Sequence, residues 1–153
     1  METFLVTEEF TIRRLKEDDF HKEYKPLLED LTIAGDLNET IFKEIFDYHA
    51  EHNDMFFNIV IEENATGLVV GNGMLVTKPD IKRNGKKLGF IEDIVVRKRL
   101  QGKGLGKKII DTLLSIAREQ RCYKVILDCG DNNEGFYNKC GFHFNAYEMS
   151  IYF

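Results

Sequence analysis

Residues 91–110, IEDIVVRKRLQGKGLGKKII, join three kinds of chain in one short stretch. Ile94, Val95 and Val96 are β-branched and favour a strand, which the upstream residues carry back to Leu88. Gly102, Gly104 and Gly106 follow, set among Lys103, Lys107 and Lys108. From Gly104 onward, Ile109, Ile110, Leu113, Leu114 and Ala117 recur at helical spacing as far as about Arg121. A turn between strand and helix presents unpaired backbone N–H groups and the positive end of a helix dipole, a setting that attracts anions. Two acids, Glu92 and Asp93, interrupt the apolar strand. Side chains alternate along a strand, so the two should point to opposite faces unless a bulge or a splayed edge re-aims one, or one of them serves structure.

Upstream, FTIRRL (10–15) reads as a short strand. Asp18 and Asp19 can cap a helix whose apolar side holds Phe20, Tyr24, Leu27, Leu28 and Leu31, ended by Gly35. NETIFKEIFDYH (38–49) predicts a second helix with Ile41, Phe42, Ile45 and Phe46 at helical spacing. Residues 55–76 predict two strands around a turn at Asn64 to Gly67, and TKPDIKRNGKK (77–87) a loop. Downstream, YKVILDC (123–129) is a buried-type strand and NNEGFYNKCGF (132–142) a short helix stopped by Gly141. HFNAYEMSIYF (143–153) predicts a closing strand. The order β-α-α-β-β-β-α-β-α-β predicts one domain over residues 1–153, of α/β (α+β) class: a mixed sheet with helices on its faces.

The chain is 43% hydrophobic and 31% charged, ordinary for a soluble globular domain. No apolar run approaches the roughly 18 to 20 residues that span a bilayer, so no membrane is expected. The first ten residues carry acids where a signal peptide carries Lys or Arg. Cys122, Cys129 and Cys140 form no C-x-x-C pair, which fits a reducing, cytoplasmic setting. Cys129 is expected to be a buried structural cysteine, and Cys140 with His143 is too sparse for zinc, so no metal is expected. The net charge of -5 conceals a basic segment: Lys78 to Lys108 holds eleven Lys/Arg against three acids. Such a patch in an acidic chain suggests a bound anion. Nucleic acid is disfavoured, because Phe90 is the only aromatic in it.

Three phosphate-binding patterns compete for the glycine turn. G-x-x-x-x-G-K-[ST] fails, since Gly102 to Lys107 is one residue short and no Ser or Thr follows. G-x-G-x-x-G directly after a strand fails too, since this chain has G-x-G-x-G after the insert RKRLQ. R-x-x-G-x-G is met by Arg99, Gly102 and Gly104, and resembles the acyl-coenzyme A pyrophosphate loop of the GNAT acetyltransferase superfamily. The flanks IEDIVV, QGKGLGKKIID, CYKVILDC and FYNKCGF resemble one family within it, the glucosamine-6-phosphate N-acetyltransferases.

That resemblance implies a GNAT fold, a mixed and mostly antiparallel sheet splayed in the middle and flanked by helices on both faces. It implies direct acetyl transfer from acetyl-coenzyme A to a sugar-phosphate amine in a ternary complex. At matching positions, the backbone of Ile94, Val95 and Val96 would meet the pantetheine arm, with Asn133 beside it. Gln101, Gly102, Lys103, Gly104, Leu105, Gly106 and Lys107 would hold the pyrophosphate, and Tyr137 would aim its hydroxyl at the thioester sulfur. Glu92, Asp93 and Asp128 would bind the amine and sugar, with the identity of the base left open. Lys82 and Arg83 fall at phosphate-side positions and Thr32 at a sugar-contacting one. Tyr152 stands where the family usually has an arginine for the phosphate. The family also implies a homodimer whose C-terminal strand helps build the partner's site. Two alternatives stay open: a GNAT enzyme for another small amine or a peptide, and a non-catalytic acyl-coenzyme A-binding module.

Overall fold

In the computed structural model, which describes residues 2–153, six strands form one sheet in sequence order. They are β1 (Thr3–Val6), β2 (Phe10–Arg14), β3 (Phe56–Glu63), β4 (Val69–Pro79), β5 (Lys87–Val96) and β6 (Cys122–Ile126). Neighbouring strands run antiparallel except β5 and β6, which are parallel. A parallel pair needs a crossover, and α3 (Leu105–Glu119) supplies it. The other helices are α1 (Tyr24–Glu29), α2 (Glu39–Glu51) and α4 (Asp131–Lys139).

Both faces of the sheet are covered. Ile109, Ile110 and Leu113 of α3 pack on Ile12, Phe57, Ile59, Ile61 and Leu75, with Phe136 of α4 joining the edge. On the other face Tyr24 and Leu27 of α1 and Phe42 of α2 pack on Val60, Val69 and Val95. The expected mixed, mostly antiparallel sheet between helices is the observed one.

Several local expectations are corrected. Thr3–Val6 is a strand that composition alone did not reveal, an edge strand paired with β2. The first helix is divided: a 3-10 turn at Glu17–His21 precedes α1, with Glu23 between them at φ 63°. Asp19 does cap, accepting the Lys16 N–H at 2.8 Å from within the first turn, but it is also fully buried and takes both guanidinium ends of Arg13 at 2.8 Å. On α2, Phe42 faces the core, whereas Ile41 and Ile45 are exposed. The loop after β4 is shorter than expected, because β4 runs to Pro79 and β5 begins at Lys87. Residues 140–153 form no strand, and Phe144, Tyr147, Met149, Ile151, Tyr152 and Phe153 are all exposed.

The register of β4 and β5 answers the question posed by the paired acids. Asn72 pairs with Val95 and Met74 with Glu92. Gly73 alone therefore lies opposite both Asp93 and Ile94, which is a β-bulge. Its extra residue, Asp93, sits at φ 55°. The bulge resets the alternation: Ile91 before it, and Ile94 and Val96 after it, all pack toward α3, while Val95 packs toward α1. Glu92 and Asp93 thus both leave the α3 face and share the other.

Gly73 permits this arrangement, because a Cβ there would collide with Ile109 and reach Ile94 at 2.9 Å. Gly73→Ala should therefore destabilise by about 1–3 kcal/mol, against the usual sign for Gly→Ala in a strand. Urea unfolding measures this, and an unchanged or raised midpoint would show that α3 is not seated on Gly73.

Candidate active site

The sheet opens at β5 and β6. Their pairing ends at Phe90↔Ile126, yet β5 continues to Val96. Glu92 lies two residues beyond this fork on one arm, and Asp128 two residues beyond it on the other. The stronger twist of a bulged strand gives a physical reason for the separation.

Glu92, Asp93 and Asp128 come together here. Glu92 has its carboxyl pushed above the ordinary range, first by burial and then by the negative charges of Asp93 and Asp128. Burial pushes Asp93 up as well. Both side chains reach solvent, yet the protein around them is dense enough to disfavour their charge. None of the three acids pairs with a Lys or Arg among the described residues. An uncompensated acidic cluster of this kind suits a cationic ligand group.

Tyr137 approaches the fork from the α4 side. Its ring packs against the core, edge-on to Phe136 at 5.0 Å and Phe142 at 6.2 Å. Its hydroxyl has no hydrogen-bond partner among the described residues. Burial raises its pKa, with Cys129, Cys140 and Asp128 adding to the effect, so the phenol keeps its proton and can donate it. Asp128 influences both Glu92 and Tyr137, and so links the acids on one face to the phenol on the other. Cys129, expected to be buried, is exposed. Partial desolvation of the sulfur, then the negative charges of Glu134, Asp128 and Asp131, raise its pKa, which keeps it a thiol and a poor nucleophile.

The arm of β5 past the fork leads to the glycine loop. Gln101 fastens the loop by donating Nε2 to the Val96 carbonyl at 3.1 Å. Arg99, the arginine of R-x-x-G-x-G, makes a bidentate pair with Glu63 at 2.9 Å. With Thr66 it holds the Glu63 carboxyl down at about 2. Arg99 is therefore a strut to the end of β3. Gly102 and Gly104 take φ 83° and 79°, the left-handed region open to glycine, and Gly104 caps α3. The Gln101 N–H donates to Lys98 and the Lys108 N–H to Gly104. Between them, the N–H groups of residues 102–107 have no acceptor among the described residues. Such a run at the start of a fifteen-residue helix is an anion cradle. Lys103 is exposed there, and Lys107 is engaged with Asp111 at 2.6 Å.

Other expected site residues are placed differently. Asn133 is exposed in the first turn of α4. Thr32 follows α1, the helix covering the face that bears the acids, beside a shallow depression lined by Glu29, Leu31 and Ile33. Lys82 and Arg83 do not join the acids within the chain. They lie in the turn before β5, and Lys87 alone is about 17 Å from Glu92 at strand spacing. The basic segment is thus two clusters at opposite ends of β5. Arg83 lies over the Tyr123 ring, whose hydroxyl donates to Asp80 at 2.8 Å. The sequence reading also missed Asn72 and Asn58, and gave Tyr24 only an apolar helix position, although all three are polar groups beneath the bulge. The available signal was a lone Asn between two glycines in an apolar strand, Gly71-Asn72-Gly73.

Comparison with known proteins places the chain in a family. Residues 12–142 match the acetyltransferase (GNAT) family, and the chain belongs to that family. Members of the family take their acetyl group from acetyl-coenzyme A, and no metal-binding cluster occurs among the described residues. More particularly, the chain is similar to glucosamine 6-phosphate N-acetyltransferase of Arabidopsis thaliana, 38% identical over 97% of this chain and 99% of that protein. The Candida albicans protein of the same name is 39% identical over 92% of this chain and 93% of its own length. The crystal structure of the Arabidopsis enzyme superposes with a TM-score of 0.92, covering 95% of this chain and 99% of that one.

The raised carboxyl of Glu92 makes its charge unfavourable to folding at neutral pH. Once acid protonates both the folded and the unfolded states, that opposition disappears. Glu92→Gln should raise stability toward urea at neutral pH, by less than about 1 kcal/mol given its solvent access, with no gain below the carboxylate range. A loss of stability at neutral pH would contradict the direction of this shift.

Proposed function

We propose that this chain transfers acetyl from acetyl-coenzyme A to the amine of D-glucosamine 6-phosphate, giving N-acetyl-D-glucosamine 6-phosphate for UDP-N-acetylglucosamine biosynthesis. The observation that carries this reading is the fork itself, where three acids without cations and a free phenol stand beside a run of unpaired N–H groups. The names of the full-length relatives support the choice of sugar.

Residues 102–107 hold the pyrophosphate of the co-substrate through their N–H groups, with Gln101 and Lys103 at the edges of that loop. The free backbone edge of Ile94, Val95 and Val96 lies where a pantetheine arm can add as a short strand, with Asn133 beside it. The thioester is the acetyl donor. Glu92, Asp93 and Asp128 bind the sugar and its ammonium, and favour loss of its proton through water to a carboxylate. The amine lone pair then forms the C–N bond as the C–S bond breaks. Tyr137 gives its proton to the departing thiolate, and no covalent enzyme intermediate is needed. Holding both substrates at the fork contributes the positioning part of the rate.

The sugar phosphate needs cations, and Lys82 and Arg83 lie too far from the acids of their own chain. In a homodimer they serve the sugar held by the partner's acids, where Thr32 adds a polar contact. The exposed C-terminal segment crosses to the second copy as a strand in the same assembly. Tyr152, 93% exposed in the single chain, there offers a hydroxyl in place of a cation. The three free cysteines suit a reducing, cytoplasmic setting.

Thiol release from acetyl-coenzyme A should occur with glucosamine 6-phosphate and be far weaker with unphosphorylated glucosamine. Equal rates would argue for a different amine, and no turnover with the phosphorylated sugar would sink the proposal. Tyr137→Phe should lower kcat by about 10²-fold, the lower part of the range for acid–base groups, with acetyl-coenzyme A affinity little changed. An unaltered kcat would remove the acid role.

A further inference from the structure

Asn72 lies in the middle of β4 at 1% exposure, where an amide is tolerated only if its hydrogen bonds are made. They are. Its Oδ1 accepts from the Tyr24 hydroxyl at 3.0 Å and from Asn58 Nδ2 at 2.9 Å. Two donors on the oxygen fix which way the amide faces, so Nδ2 points to the bulge and donates to the Asp93 carbonyl at 2.9 Å. Asn58 also donates to the carbonyl of Gly73, the residue opposite the bulge, at 3.1 Å. Four elements meet here: Tyr24 from α1, Asn58 from β3, Asn72 from β4 and Asp93 from β5.

The bulge is otherwise costly. Asp93 occupies the left-handed region at φ 55°, and a bulge disrupts the local ladder bonds. Regular pairing would instead turn Asp93 toward α3, against the apolar surface of Ile109 and Leu113. We propose that Asn72 is a positioning residue for acetyl transfer: its amide, oriented by Tyr24 and Asn58, holds the Asp93 carbonyl and thereby keeps Glu92 and Asp93 on one face. This rests on the assignment of those acids to the amino sugar. The site's acids are thus held through the backbone, from beneath. Tyr24 carries the same constraint to α1, the helix that leads to Thr32.

The test uses three variants of the full chain. Asn72→Asp keeps size and both acceptor roles toward Tyr24 and Asn58, but an ionised carboxylate cannot donate to Asp93. Tyr24→Phe removes one hydroxyl and leaves the ring packing. Thr77→Val is the control, since Thr77 is fully buried in the same strand and donates to the Asp54 carbonyl at 3.2 Å, away from the bulge. For glucosamine 6-phosphate, kcat/KM should fall about 10²-fold in Asn72→Asp and about tenfold in Tyr24→Phe, while the acetyl-coenzyme A Kd measured by calorimetry stays within about threefold. Hydrogen–deuterium exchange should accelerate over residues 92–95 in both. Thr77→Val should lower Tm and change kcat/KM by no more than about twofold.

The proposal is overturned if exchange over 92–95 is unchanged, or if Tyr24→Phe and Thr77→Val lose kcat/KM equally. Should Asn72→Asp not fold, Tyr24→Phe carries the test alone. Should the wild-type chain not acetylate glucosamine 6-phosphate, the assigned substrate fails, and the exchange comparison still decides the hold on the bulge.

Discussion

One inserted residue in β5 governs the architecture of the site. Because strand side chains alternate, a single extra position reverses every residue beyond it. Ile91 lies on the α3 side before the bulge and Ile94 after it, which leaves Glu92 and Asp93 together on the opposite face. The same insertion bends the strand near the place where β5 and β6 part, so the acids emerge at an opening instead of inside a continuous sheet. The requirement passes on to β4, where a glycine must face α3. A conformational oddity at Asp93 thus depends on a packing feature two elements away.

Charge is distributed with similar economy. Most arginines near the loop act as struts: Arg97 joins Glu23 at 3.0 Å and Asp30 at 3.3 Å, and Arg99 joins Glu63. Their partners hold β5 and the loop to α1 and β3. What remains free is polar in opposite senses, carboxylates at the fork and backbone N–H groups at the start of α3. A ligand with an ammonium at one end and phosphates on its co-substrate at the other complements both. Loop glycines let the backbone serve as the anion-binding surface, with side-chain charge secondary.

The sequence made some of this plain because the relevant physics is local. Helix α3 and its glycine entry are written in periodicity and in residues that tolerate positive φ, and both stand where they were expected. Strand partners are another matter. β1 has only four residues and depends on β2 for its definition, so no local pattern announced it. The acids posed a question that alternation could frame but not answer, since a bulge is a relation between two strands. The separation of Lys82 and Arg83 from the acids was hidden for the same reason: a cluster in sequence became two ends of one strand. Asn72 was overlooked because a polar residue in an apolar strand has no meaning until its partners are known.

The C-terminal segment shows how a local pattern can be correct and its structure still be missing. Tyr147, Met149, Ile151 and Phe153 alternate with Glu148, Ser150 and Tyr152, the period of a strand with one apolar face. In the single chain those apolar residues are exposed and no strand forms. A strand needs a neighbour for its backbone bonds and a surface for its apolar face, and the chain's own sheet supplies neither here. In the proposed homodimer a second copy would provide both. In that assembly Lys82 and Arg83, at the far end of their own β5, would face the acids of the other chain. One assembly would therefore complete the unfinished strand and the phosphate end of the site together.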